Sequence, residues 1–200
     1  MKKLTSLLLA VVMVVLLVGC MGGSVEISRG TTSGDTYRSE TLNLQFTKPA
    51  SWVYATDEEI AAAVNVGADL LDNEDLKTAL ENNPAIYDML VKDLSTGTNV
   101  MIGYENLAKT LSSNITEKQY LDAVKEQFGA VSSVKVTFSE TYDTVKLGKT
   151  DFLRVVCNTT ASGVSMQQVY YVHKMDGYMG LVIVTIPKGY TVAQIEAMFK

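Results

Sequence analysis

Two tight turns divide the stretch from Leu153 to Val184 into three apolar segments, and they constrain the fold more than any other feature of the sequence. The dipeptides Ser162-Gly163 and Asp176-Gly177 suit two-residue hairpin loops, which fix the register between the strands that they join. In that register both faces of the three-stranded meander are apolar. One face carries Leu153, Val155, Cys157, Met166, Tyr170, Val172, Leu181 and Ile183, and the other carries Val156, Val169, Tyr171, Val182 and Val184.

A sheet that is apolar on both faces must be covered on both faces, because otherwise one of them stays in contact with water. We therefore expect helices on both sides of this sheet. The predicted fold is α+β, an antiparallel sheet of about six strands sandwiched by helices in an α/β/α arrangement.

Three capping boxes mark the starts of helices, each formed by a threonine followed three residues later by Glu or Gln. They are Thr56 with Glu59, Thr116 with Gln119, and Thr191 with Gln194. Apolar residues at helical spacing follow each box. This pattern predicts helices over residues 56–72, 116–128 and 191–199.

The segments between these helices are less uniform. Residues 74–83 predict a short additional helix, and the stretch from Ile86 to Leu94 fits both helical and strand spacing. The turn Ser95-Thr96-Gly97 and the alternating residues after it favour a hairpin, so we predict a strand there. Alternation from Val134 to Tyr142 predicts a strand with one buried and one exposed face.

The amino-terminal segment has the pattern of a secretory signal. It combines a basic start at Lys2 and Lys3, an apolar run from Leu7 to Val18, and a small residue before Cys20. An uncleaved transmembrane helix is the alternative. Spanning a bilayer needs about 20 apolar residues, however, and no basic stop-transfer cluster follows this shorter run.

The tetrapeptide Leu17-Val18-Gly19-Cys20 resembles the lipobox of bacterial lipoproteins. The resemblance implies that residues 1–19 are removed and that Cys20, carrying a diacylglyceryl thioether, becomes the new amino terminus. Two acyl chains suffice for stable anchoring, because each buried methylene contributes about 0.8 kcal/mol. We therefore expect a lipid-anchored protein on the extracytoplasmic face of the cell membrane.

Composition predicts how the chain is organised after the anchor. The stretch from Met21 to Asp35 is rich in Gly, Ser and Thr, which indicates a flexible tether over residues 20–35 and a single domain over residues 36–200. Loss of Lys2 and Lys3 changes 17 basic and 22 acidic residues to 15 and 22, a net charge of −7. This balance argues against nucleic acid as a partner, and we do not expect it to draw the protein to anionic lipid.

The order of the predicted elements resembles that of PsbP-like (Mog-type) domains found in small bacterial lipoproteins. The similarity includes the segments FTKPASW, NVMIGYENL and TEKQYLDAVKEQF and the long meander closed by a terminal helix. The resemblance implies the same sandwiched fold and an accessory or binding role. Because these domains share no catalytic motif, it implies no site residue.

Cys157 and His173 are the residues to test as a nucleophile and its base, which must lie within about 3 Å of each other. The predicted register places them on opposite faces, so we expect Cys157 to be a buried, unreactive thiol. One histidine supplies too few ligands for a transition-metal site. The acidic residues between 69 and 75 match no calcium loop, and we predict no catalytic residue, metal or cofactor.

Aromatic residues on strands are the remaining candidates for binding a ligand or partner, because tyrosine and tryptophan have an apolar body and a polar tip. We select Trp52, Tyr104 and Tyr171 as possible contacts. The leading hypothesis is a non-enzymatic binding or accessory domain that meets a protein partner at the cell envelope. The alternatives are a small-ligand-binding lipoprotein that serves a transporter and an envelope hydrolase.

Overall fold

The computed structural model describes residues 27–69, 85–107, 114–129, 131, 134–161 and 163–200. Strands dominate this part of the chain. The strands are β1 (Thr31–Ser33), β2 (Thr36–Ser39), β3 (Leu44–Thr47), β4 (Val53–Tyr54), β5 (Ile86–Lys92), β6 (Asn99–Asn106), β7 (Val134–Phe138), β8 (Asp143–Leu147), β9 (Thr150–Ala161), β10 (Val164–Met175) and β11 (Tyr178–Ile186). The helices are α1 (Asp57–Asp69), α2 (Glu117–Gly129) and α3 (Val192–Glu196).

Eight strands form one antiparallel sheet in the order β4-β5-β6-β11-β10-β9-β7, with β8 pairing separately with β9. The two predicted hairpin loops are confirmed, because Ala161 pairs with Val164 and Met175 pairs with Tyr178. The predicted division of apolar residues between the two faces is also confirmed. Local turn chemistry and alternation therefore determine the centre of the fold.

Helices α1 and α2 cover one face of the large sheet. Tyr120, Leu121, Val124 and Phe128 of α2 are buried against residues from the predicted first face. The capping box of α1 is closed, since the Thr56 N–H donates to Glu59 Oε2 at 3.0 Å and the Glu59 N–H donates to Thr56 Oγ1 at 3.2 Å. The equivalent bonds at the start of α2 are present as well.

The second face is not covered by helices in the way the sequence predicted. A separate three-stranded sheet, β1-β2-β3, packs on it together with the five-residue helix α3. The expectation of six strands in an α/β/α sandwich is therefore wrong. A sheet can bury an apolar face as well as a helix can, and the alternating residues around Phe46 provide that second sheet.

Residues 198–200 extend the small sheet by one more strand. The Thr47 N–H donates to the Met198 carbonyl at 3.0 Å, and the backbones of Gln45 and Lys200 exchange bonds of 2.9 and 2.8 Å. The Phe199 ring lies 4.9 Å from the Phe46 ring. The helix predicted to reach residue 199 therefore ends early, because Phe199 is needed in this pairing.

The hairpin of β5 and β6 confirms the strand predicted after residue 86, and its register shifts between Tyr87 and Met89. The strand β1 starts at Thr31, within the stretch that composition assigned to the tether. The helix predicted over residues 74–83 and the signal and lipobox residues Leu17, Val18, Gly19 and Cys20 lie outside the described residues. In the part that is described, every helix is too short or too polar to cross a bilayer.

Candidate functional site

A cavity of about 560 Å³ lies over the outer face of the small sheet. Its floor is a row of directly paired residues that crosses four strands: Thr31 pairs with Arg38, Arg38 with Gln45, and Gln45 with Lys200. Directly paired residues project to the same side of a sheet. This row therefore faces solvent, while the neighbouring Tyr37, Phe46 and Phe199 face the core.

The turn between β8 and β9 brings a third basic residue to this cavity. The Lys149 N–H donates to the Asn43 carbonyl at 3.2 Å, and the Lys149 side chain lines the cavity. Gly148 permits this approach. It has a φ of +63°, and a Cβ at this position would lie 2.5 Å from the Lys200 carbonyl oxygen and 2.9 Å from Leu44 Cα. We call the cavity formed by Arg38, Gln45, Lys149 and Lys200 the basic groove.

The charge of the basic groove is opposite to that of the whole chain, which carries −5. Arg38, Lys149 and Lys200 are exposed, and within the described residues none of the three forms an ion pair. Glu40 is the acidic residue of the lining. The side chains of Arg38, Lys149 and Lys200 therefore face one acidic side chain, in a space that also presents the amides of Asn43 and Gln45.

One edge of the groove is held in place by a buried carboxylate. Asp88, at the register shift in β5, has a side chain that is 1% exposed. It accepts bonds from the Gly30 N–H at 2.8 Å, from the Tyr37 hydroxyl at 2.6 Å and from Arg29 Nε at 3.3 Å. A β-bulge redirects a side chain out of the regular ladder, and here it directs Asp88 to the segment that precedes β1.

Arg29 contributes little free charge to the groove, although it lines it. Its guanidinium also binds both carboxylate oxygens of Asp57, at 2.9 and 3.3 Å, and this interaction raises the pKa of Arg29. Burial, together with the nearby Asp88 carboxylate, raises the pKa of the Tyr37 hydroxyl far above its usual value. Tyr37 therefore stays protonated and donates to Asp88, which makes this corner a structural anchor.

Ser28, the residue before Arg29, lines the groove, and its carbonyl accepts a bond of 3.0 Å from the Thr41 hydroxyl. The chain therefore enters the domain beside the basic groove. Ser28 is eight residues after Cys20. Ser28, Arg29 and Thr31 lie within the segment that composition assigned to the tether, and they form part of the lining of the groove.

The three aromatic residues selected from the sequence are all in the core between the two sheets, and none lines the groove. Trp52, Tyr104 and Tyr171 are each no more than 1% exposed. Their polar atoms bind within the protein: Trp52 Nε1 donates to the Tyr190 hydroxyl at 2.9 Å, the Tyr104 and Ser39 hydroxyls share a bond of 2.8 Å, and the Tyr171 hydroxyl donates to Glu196 at 2.8 Å.

Cys157 and His173 lie on opposite faces of the large sheet, as the register predicted. Cys157 is fully buried on the helix-covered side, and this burial raises the pKa of its thiol to about 11. His173 packs its ring on Phe152, and its Nδ1 lies 3.0 Å from the Asp151 carbonyl oxygen. Over the described ranges, no three His, Cys, Asp or Glu side chains converge on a common metal position.

Sequence reasoning did not find the basic groove. Arg38, Lys149 and Lys200 are far apart in the chain and belong to no motif. Alternation along β2 and β3 could have grouped Arg38 with Gln45, whereas Lys149 joins them only through the close approach at Gly148.

No protein-family model matches the sequence, and no curated protein matches it. Among solved structures, a protein from Bacteroides thetaiotaomicron VPI-5482 matches 84% of this chain with 13% identity and a TM-score of 0.42. The chain spans 48% of the length of that protein. The resemblance to PsbP-like domains stays a prediction.

Proposed function

We propose that this protein is a lipoprotein of the extracytoplasmic membrane face whose folded domain has a non-enzymatic binding or accessory role. The lipobox residues support the anchor. The structural observation that carries the proposal is the position of Ser28, which lines an open basic groove only eight residues after Cys20. The domain therefore presents a polar surface at the point where the tether reaches it.

The tether length limits where this surface can act. Eight extended residues span at most about 28 Å, since each contributes no more than about 3.5 Å. The groove of an anchored protein consequently stays within that distance of the lipidated cysteine. A partner at the membrane surface is accessible to it, whereas a partner far from the bilayer is not.

The second candidate is a small-ligand-binding lipoprotein that serves a transporter. The volume of the groove, about 560 Å³, is the observation that favours it, because ligand pockets are typically about 300–1,000 Å³. The groove is lined mainly by polar and charged side chains rather than by apolar ones. A ligand of this site would therefore be small and charged.

The anchor is tested by expressing the full-length chain in bacteria that are fed a labelled fatty acid. We expect the label on the wild type and on Cys157→Ala, and none on Cys20→Ala, because only Cys20 follows the lipobox. Label on Cys20→Ala, or none on the wild type, contradicts the anchor.

Crosslinking in intact membranes tests the accessory role. We expect wild type and Cys157→Ala to capture the same envelope protein and Cys20→Ala to lose it. Capture that is equal for all three forms contradicts a role that depends on anchoring. Recovery of a transported small molecule with the wild type favours the second candidate.

A further inference from the structure

We propose that the basic groove binds the phosphate of an anionic phospholipid headgroup in the membrane that holds the chain. This inference rests on the proposed anchoring at Cys20, and it assigns a ligand to the basic groove. It depends on the placement of Arg38, Lys149 and Lys200 around one cavity beside the entry of the tether.

The spacing of the basic groups suits one small anion. Arg38 and Lys200 stand on the same row and are separated by two strand spacings, about 10 Å between their backbones. Both side chains are long enough to meet over Gln45, which lies between them. Lys149 approaches from the adjoining turn, which Gly148 holds against Leu44 and Lys200.

The basic groove presents several hydrogen-bond donors. The guanidinium of Arg38 can donate two parallel bonds to phosphate, and the ammonium groups act as compact positive charges. The side-chain amides of Asn43 and Gln45 supply further donors. Glu40 opposes the three basic side chains with one negative charge, and the excess of positive charge that remains suits a single phosphate group better than a large polyanion.

The tether determines which phosphate the groove meets. Headgroups of the anchoring membrane lie within the reach of eight residues, so their binding is effectively intramolecular. Such tethering gives effective concentrations of about 1 mM or more, at which even a weak site is occupied. The net charge of the mature chain is negative, so repulsion of its other surfaces favours the orientation in which this groove faces the bilayer.

The test uses the full-length chain in micelles of an uncharged detergent, observed through its backbone amide NMR signals. The probes are dihexanoyl-phosphatidylglycerol, dihexanoyl-phosphatidylcholine and inorganic phosphate. We expect phosphatidylglycerol to shift the signals of Arg38, Gln45 and Lys149 in a saturable manner. Phosphatidylcholine and inorganic phosphate at the same concentration should shift them little.

Two matched double variants separate the groove from general electrostatics. Lys149→Gln/Lys200→Gln removes two charges from the groove, and Lys135→Gln/Lys188→Gln removes two exposed charges elsewhere. Each basic group at an anionic surface contributes a factor of about 5, so the groove variant should bind on the order of 25-fold more weakly. The control variant should bind within about twofold of the wild type.

Each outcome decides the proposal. Equal weakening of both variants overturns it, because binding then follows net charge alone. Equal shifts with inorganic phosphate overturn the lipid source and assign a soluble anion, and the absence of shifts with phosphatidylglycerol overturns the site. The titration is repeated with Cys20→Ala, which cannot be lipidated at this position. Failure of the proposed anchor is thereby distinguished from failure of the groove to bind the headgroup.

Discussion

Replacing Gly148 with alanine tests whether the turn between β8 and β9 is held against the small sheet. Gly148 has a φ of +63°, and an alanine in this left-handed region costs about 1–2 kcal/mol. Gly163 provides the matched control. It has a φ of +78° and no atom within 4 Å of the added Cβ, so Gly163→Ala should lose only that conformational energy.

At Gly148 the added Cβ meets the Lys200 carbonyl oxygen at 2.5 Å and Leu44 Cα at 2.9 Å. Backbone atoms cannot rotate away, so the strand of residues 198–200 must move. The move breaks the two bonds between Gln45 and Lys200, each worth about 0.5–1.5 kcal/mol net. Gly148→Ala should therefore lower the free energy of unfolding by about 2–5 kcal/mol, compared with about 1–2 kcal/mol for Gly163→Ala.

Equilibrium unfolding in urea measures the free energy of unfolding of both variants. Amide hydrogen exchange shows which part of the structure is destabilised. We expect the amide hydrogens of Gln45 and Lys200 to lose protection in Gly148→Ala and to keep it in Gly163→Ala. Equal loss of stability in the two variants, or retained protection at Gln45 in Gly148→Ala, would refute the close approach of this turn. The construction of the basic groove would then need a different explanation.

Three further predictions concern the buried Asp88 carboxylate, the Cys157 thiol and the capping residue Thr116 of α2. Asp88→Ala leaves the buried Tyr37 hydroxyl without its acceptor, so urea unfolding should show a loss of about 2–4 kcal/mol. Cys157 should react with a thiol reagent at pH 8 more than about 100-fold slower in the folded than in the unfolded chain, because burial raises its pKa to about 11. Thr116→Ala should lower the unfolding free energy by about 1 kcal/mol, since it removes the cap of α2.

Each of these predictions has a control. Asp57→Ala removes the exposed partner of Arg29 and should change stability little. Equal effects of Asp57→Ala and Asp88→Ala therefore contradict the structural role of Asp88. Thiol labelling is measured in a Cys20→Ser background, and rapid labelling of the folded chain contradicts burial of Cys157. The raised pKa of the Cys157 thiol also sets how stability depends on pH. The contribution of this thiol to the free energy of unfolding is complete below about pH 8.5 and is lost as the pH rises towards 11. Thr137→Ala, on an exposed strand face, should leave the helix signal in circular dichroism unchanged.

The parts of the fold that could be predicted from the sequence depend on local chemistry. Two-residue turns fixed the register from β9 to β11, and alternation then assigned each side chain to a face. Each capping box is likewise formed by two residues that are three positions apart. These features are determined within a few residues of the chain, so no knowledge of distant segments was needed.

The sequence could not predict in the same way which kind of element packs on the second face of the large sheet. An apolar face requires a cover but does not specify whether a helix or a sheet provides it. Leu44 and Phe46 alternate with polar residues, but nothing local in the sequence shows that their strand belongs to a separate sheet. Phe199 continued a helical stripe in the sequence, yet its pairing with Phe46 is a tertiary interaction that overrides helical spacing.

The candidate site depends even more strongly on tertiary structure. Net charge describes the whole chain, and it predicted no attraction to anionic lipid. It does not describe how charge is distributed, and the fold gathers Arg38, Lys149 and Lys200 on one surface. Burial of Trp52, Tyr104 and Tyr171 has the same origin, since the small sheet covers them.

The pairing of Phe46 with Phe199 also determines when the domain can finish folding. A ribosome synthesises β3 long before it makes residues 198–200, which complete the small sheet. Contacts between such distant segments slow folding, because a long loop must close before they form. A nascent chain that ends before residue 198 therefore leaves the backbone edge of β3 unpaired at Gln45 and Thr47. The order of synthesis thus keeps this domain incomplete until residues 198–200 have been made.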